Sequence, residues 1–353
     1  MSALPMFPAS VVGSLPRPQH VRELIAKPSW DEADERAMDA AVRYAVSMQE
    51  MAGLDVVTDG EWRRRSYIGV IAELVHGFAL EINPADGRPW TVVTEKLSAK
   101  EPGFIAAEAK FLKGVARAGT KITLPAPALL GERLWHPVRS RNAYPKREDF
   151  VRDCVAPLRR EIELIRRIGI DIVQIDDPHL CLFVDPAVRR AYDDPDRAAD
   201  FAADMVNALV EGFDGVKFAL HLCRRAGARV RGEKHHAGAY GPILPQLNRL
   251  KVQHLTMEFT AAGADDLESL GRLRNDFELG LGVVDVTPGV KQDAAQIVAR
   301  VERALARVEA KRITLNPDCG FAPGSAAKVD IDEVYLKLRA EAEAARVLRA
   351  RHA

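Results

Sequence analysis

Short aliphatic and β-branched runs recur along the chain, each closing on polar residues, with helical spacing in the stretches between. They are SVVGS (10–14), DVVTDG (55–60), ITLPAP (122–127), DIVQIDDP (171–178), FALHLC (218–223), HLTMEF (254–259), LGVVDV (281–286) and RITLNPDCG (312–320). Strands that alternate with helices imply parallel pairing through crossovers, and eight of them predict an α/β fold of the closed (β/α)8 TIM barrel type. Between strands, Met38, Ala41, Val42, Ala45 and Met48 form one apolar stripe, with Ser29 and Glu32 as a capping box and Gly53 as the stop. Leu158, Ile162 and Ile165 repeat the stripe up to Gly169, and Ile297, Val301, Leu305 and Val308 repeat it before the last strand.

Two intervals break the rhythm. Residues 61–120 are too long for one crossover and contain WTVVTEKLS and FIAAEAKFLKG, which predicts a β-hairpin insertion after strand 2. Residues 131–149 are polar and aromatic and read as a loop over the barrel mouth. No Gly/Ser linker interrupts the chain, so residues 1–353 are expected to form a single barrel domain, with one closing helix from Ile331.

Charge and cysteine content narrow the function. Fifty basic residues balance fifty acidic ones, so nothing draws the chain to nucleic acid or to an anionic membrane. Four cysteines, Cys154, Cys181, Cys223 and Cys319, are too few for a disulfide scaffold and fit a reducing compartment. The opening MSALPMFPASVVGSLPRP lacks a basic start followed by a long apolar stretch, so the expected location is the cytoplasm. No Gly-x-Gly-x-x-Gly follows the first strand, which argues against a dinucleotide fold.

Chemistry concentrates at the strand ends, where a barrel of this type carries its active site. In order these ends bring Ser14; Asp59 and Glu61; Asp176 and Asp177; His221 and Cys223; Glu258; Asp285; and Asp318 and Cys319. Residues i and i+2 of a strand share a face, so His221 and Cys223 can point together at the barrel axis. Imidazole, thiolate and carboxylate are zinc donors, and Glu258 and Cys319 are the remaining partners on neighbouring strands. Cys154 and Cys181 lie in apolar surroundings and read as core thiols.

These segments resemble the catalytic half of cobalamin-independent methionine synthase and its shorter relatives. VVGSLPRP is similar to that family's opening strand, VVTDGEWRR to its Gly-Glu motif, VQIDDP to its Ile-Asp-Glu-Pro motif, and HLC, MEF and NPDCG to its metal-ligand segments. The resemblance implies Zn2+ held by His221, Cys223, Glu258 and Cys319, with Ser14 holding a homocysteine carboxylate and Glu61 and Asp176 its ammonium. It also implies a small thiol acceptor and a methyl donor, either a folate or a corrinoid protein.

Two departures bear on the donor. Full-length members carry a duplicated N-terminal barrel that helps to hold a polyglutamylated folate, and this sequence has no such repeat. Where the family reads Asp-Ile-His-Ser-Pro, this chain reads Asp285-Val286-Thr287-Pro288, so the family's proton-donating histidine is a threonine. That favours a donor whose leaving group needs no proton, unless His179, His235, His236 or Tyr240 supplies one; His179 and Asp285 are kept as catalytic candidates. Arg17, Arg63, Arg64 and Arg65 are expected either to bind an anionic tail or to pair with acids. The alternative activity is zinc-assisted opening of an epoxide by coenzyme M, and a non-catalytic metal-stabilised barrel is the third reading.

Overall fold

The computed structural model describes residues 4–82, 87, 89–225, 236–260, 266–322 and 329–352. Seven parallel strands lie side by side in the order β1 (Val56–Val57), β4 (Gly119–Pro125), β5 (Ile172–Asp176), β6 (Lys217–Leu222), β7 (His254–Glu258), β8 (Glu278–Val284) and β9 (Ile313–Pro317). Ser10 bridges Val56 of β1 and Ala9 bridges Leu315 of β9, both in parallel. The first extended segment therefore closes the ring as its eighth member, which gives the expected TIM barrel.

That first member is shorter than SVVGS suggested. Beyond Ser10, side chains rather than a strand neighbour take up the backbone carbonyls. Lys121 Nζ donates to Val11, Gln174 Nε2 to Val12 at 2.9 Å, and Thr58 Oγ1 to Gly13 at 2.9 Å. Burial lowers the pKa of Lys121 to about 8. Polar side chains on β4 and β5 thus replace ladder bonds and free residues 11–14 to line the mouth.

The helix stripes pack as expected. Met38, Ala41, Val42, Ala45 and Met48 are buried along helix Glu32–Ala52, which ends at Gly53 with φ of 97°. Its capping box is Asp31 with Asp34, not Ser29 with Glu32: Asp31 accepts from the Asp34 amide at 2.9 Å. Residues before Asp31 fold back instead, with Trp30 Nε1 donating to Leu24 O at 2.8 Å. Leu158, Ile162 and Ile165 are buried up to Gly169, as are Ile297, Val301 and Val308, whereas Leu305 is only partly covered.

The insertion is a hairpin, β2 (Val75–Ile82) antiparallel to β3 (Pro89–Ala99), followed by helix Phe104–Val115, which contains FIAAEAKFLKG. Residues 131–149 are less of a loop than expected. Helix Pro127–Leu134 begins with a proline at its first turn and helix Arg147–Asp153 ends the interval. The stretch between them anchors the hairpin, since Ser140 Oγ donates to Val93 O and the Leu97 amide donates to Tyr144 Oη. Helix Ile331–His352 packs back on the barrel, and among the described residues no helix is long and apolar enough to cross a membrane.

Candidate functional site

The first acidic residue of the mouth is placed by a strained turn. Glu61 has φ of 59°, in the left-handed region that side chains avoid. Its amide donates to Asp59 Oδ1 at 2.9 Å, and Arg17 donates to the carbonyls of Glu61 and Arg64 at 2.7 Å each. The carboxylate turns inward and accepts from Thr123 Oγ1 at 2.8 Å. Burial raises its pKa, with Arg64 opposing and Asp176 adding to the rise. Gly13 is required beside it, because a Cβ there would lie 2.5 Å from Glu61 Oε1.

Opposite Glu61, His221 and Cys223 project together from the end of β6, and Cys319 follows β9. One ligand atom from each of these three buried residues lies within 4.8 Å of the others, and the two sulfurs are 3.7 Å apart. Zinc–sulfur bonds of about 2.3 Å at the tetrahedral angle put two sulfurs about 3.8 Å apart, so the spacing fits this metal. Asp176 Oδ1 lies 3.0 Å from His221 Nδ1 and accepts from Gln174 Nε2 at 2.8 Å. That leaves His221 Nε2, buried and with no oriented hydrogen bond, as the atom available to a metal. Burial opposes the imidazolium, yet the Asp176 hydrogen bond and the Cys319 sulfur push its pKa up to about 10. The hydrogen bond with Cys319, followed by burial, raises the Cys223 thiol well above its ordinary value. A metal ion would therefore have to displace protons on arrival.

A small cavity joins the three donors to Ser14, Glu61 and Asp176. Gly320 keeps it open, since a Cβ there would lie 2.2 Å from Ser14 Oγ. Glu258 is buried nearby but is not in the tight trio; its Oε2 accepts from the Arg224 amide at 2.9 Å. Asp318 fastens the start of the loop after β7, accepting from the amides of Phe259 and Thr260 at 3.0 Å each.

The catalytic candidates are dispersed. His179 lines a larger cleft of about 1790 Å³ that also reaches Cys223 and Cys319, and burial followed by nearby arginines lowers its pKa to about 3. Asp285 accepts from the Thr287 amide at 2.8 Å, while Lys337 donates to the carbonyls of both residues, and neither of them lines the two cavities. His236 pairs with Asp185 at 2.9 Å, and Tyr240 donates to Glu258 O at 3.1 Å. His235 lies outside the described residues. Cys154 and Cys181 are buried thiols, as expected. Sequence reasoning missed Tyr67, which lines both cavities; only its place six residues beyond Glu61 pointed to it.

Residues 7–346 match the family model described as "Cobalamin-independent synthase, Catalytic domain". The chain belongs to this family. A family relative, a methionine synthase of Saccharolobus islandicus (strain L.S.2.15 / Lassen #1), is 31% identical over 333 residues, covering 91% of this chain and 90% of the relative. A methionine synthase of Sulfolobus acidocaldarius is 28% identical over 330 residues, covering 90% and 86%. The fold matches a B12-independent methionine synthase from Shewanella sp. W3-18-1, solved in complex with selenomethionine, with a TM-score of 0.80 at 21% identity over 98% of each chain. Membership makes the protein a methionine synthase-like methyltransferase, and the Asp176–His221 contact gives a first test of whether the trio holds a metal. Asp176→Asn is expected to weaken zinc binding about 10- to 100-fold, because the amide no longer holds the ring as strongly. Competition against a chromogenic chelator measures the change, and unaltered affinity would remove Asp176 from that role.

Proposed function

We propose that the protein transfers a methyl group to the thiol of homocysteine, giving methionine, with Zn2+ held by His221, Cys223 and Cys319 and with Glu258 as the fourth protein donor. The observation that carries this reading is the joining of two sulfurs and an imidazole to Ser14, Glu61 and Asp176 in one small cavity. Glu61 and Asp176 take the amino acid's ammonium through charge-assisted hydrogen bonds, and the Ser14 hydroxyl donates to its carboxylate. The thiol then extends toward the trio. When bound, the metal favours the thiolate of the acceptor at neutral pH and holds its sulfur for attack on the methyl carbon.

The buried walls of the cavity keep water from competing for the methyl group. Glu258 is hydrogen-bonded to the Arg224 amide, which gives it an alternative partner when the acceptor sulfur arrives. The position of Thr287, away from both cavities, supports a donor whose leaving group departs without a proton from that loop. An acceptor ending in a sulfonate is disfavoured, since the two carboxylates of the cavity would repel it. We also read residues 1–353, insertion included, as one catalytic unit working in the cytoplasm.

Product analysis tests the assignment. Zinc-loaded protein is incubated with homocysteine and, separately, with methylfolate monoglutamate, methylfolate polyglutamate and methylcobalamin. Methionine is expected from one of these donors, and failure of homocysteine to bind in calorimetry would overturn the acceptor.

A further inference from the structure

Among the described residues one side chain donates a hydrogen bond to the Glu61 carboxylate, and that bond has a fixed direction. The donor is Thr123, buried on β4, whose Oγ1 stands 2.9 Å from Arg64 NH1 and 2.8 Å from Glu61 Oε1. A guanidinium has donors only, so the hydroxyl accepts from Arg64 and its single proton goes to Glu61. The bonds therefore run one way, from cation through hydroxyl to carboxylate. A β-branched side chain is stiff about its first torsion, and the Thr123 methyl takes the space beside Gly13. A Cβ at residue 13 would lie 3.0 Å from Thr123 Cγ2 and 2.5 Å from Glu61 Oε1, so glycine leaves room for the pair.

Arg64 makes its own ion pair with Glu108 and reaches Glu61 through the hydroxyl. A direct pair of Arg64 with the Glu61 carboxylate would leave that acid already satisfied when an ammonium arrived. The interposed hydroxyl holds the carboxylate in place and leaves its charge for a ligand. Burial raises the pKa of Glu61, and both Arg64 and the Thr123 bond oppose that rise. The neighbouring strand repeats the device. Gln174, in register with Thr123, donates from Nε2 to Asp176 Oδ1 at 2.8 Å. Each acid of the small cavity thus receives a neutral donor from one of two adjacent strands.

Resting on the homocysteine reading above, we infer that Thr123 is a positioning residue that sets the preference for a thiol acceptor carrying an ammonium group. It does not itself line the small cavity and acts through Glu61, which does. Without the hydroxyl, the carboxylate loses its fixed donor and is free to turn toward Arg64, away from the ligand.

Binding of two thiols that differ only in the amino group tests this without turnover. Zinc-loaded wild type, T123V and T123S are titrated calorimetrically with homocysteine and with 4-mercaptobutyrate, its counterpart lacking the ammonium. Valine keeps the shape and removes the hydroxyl, whereas serine keeps the hydroxyl and removes the methyl. Thermal midpoints and zinc content are measured on each protein, and T123A carries the same comparison if T123V does not fold. T123V is expected to bind homocysteine about tenfold more weakly than wild type and 4-mercaptobutyrate within about twofold of it, with T123S recovering most of the loss. Three results would each overturn the role of Thr123: unchanged homocysteine affinity in T123V, equal weakening of both thiols, or T123S as weak as T123V. Loss of zinc from T123V would do so as well, by assigning the residue to the frame of the metal site. The wild-type arm reports separately on the acceptor. A wild type that binds neither thiol, or prefers 4-mercaptobutyrate, overturns the homocysteine reading and this inference with it, whereas a homocysteine preference kept in T123V overturns this inference alone.

Discussion

A Cys223→Ala protein is expected to hold no stoichiometric zinc after dialysis at neutral pH and to lose about three orders of magnitude in kcat/KM for methyl transfer. The trio offers two sulfurs 3.7 Å apart and one imidazole, and alanine leaves a single thiol with the ring. Glu258 cannot make good the loss, because it is already counted as the fourth donor and cannot stand in for a second sulfur. Without the metal, the acceptor remains largely a thiol at neutral pH, and a thiol is a poor nucleophile. Cys154→Ala is the matched control, since Cys154 is buried at the start of helix Val155–Ile168 and touches neither cavity. Elemental analysis and single-turnover kinetics on both variants make the comparison. Full zinc content in Cys223→Ala would remove that residue from the metal site.

The second large effect is on stability. Arg64→Met is expected to destabilise the protein by about 3–5 kcal/mol near pH 8, as measured by urea denaturation. Arg64 is fully buried, with Nε 2.9 Å from Glu108 Oε2 and NH1 2.9 Å from Thr123 Oγ1. Even with this partner, burial raises the pKa of Glu108 to about 7. Removing the guanidinium takes from the buried acids Glu108 and Glu61 the cation that most favours their charged forms. At pH 5 the loss should be smaller, because a Glu108 whose pKa has risen further is then protonated and pays no charge penalty. The double variant Arg64→Met/Glu108→Leu should recover most of the stability. If it is as unstable as the single variant, the ion pair is not the cause.

Much of this architecture was legible because strands buried on both faces must be apolar and the site must sit at their ends. All eight predicted runs fall on members of the ring, and the gathering of His221, Cys223 and Cys319 was readable because residues i and i+2 share a strand face and parallel strands of a barrel end at one rim. Boundaries were less readable. SVVGS looked like a full strand because Val11 and Val12 are buried, but their carbonyls are taken by Lys121 and Gln174, more than a hundred residues away. Ser29 and Asp31 are both good caps, and only the fold-back at Trp30 decides between them. Tyr67 carried almost no signal beyond its nearness to Glu61, since an aromatic outside a strand end is indistinguishable from surface until the hairpin and the barrel enclose a cleft.

Closure of the ring has a temporal consequence. Ala9 and Ser10 bond to Leu315 and Val56, while Arg349 donates to the carbonyls of Met6 and Phe7 and pairs with Asp55. On the ribosome, residues 9 and 10 must therefore wait for residue 315 before the circle is complete. Cys319 follows Leu315 closely, so until then a nascent chain carries only His221 and Cys223 of the trio. Any metal held by the trio would accordingly be taken up only after residue 319 has been made.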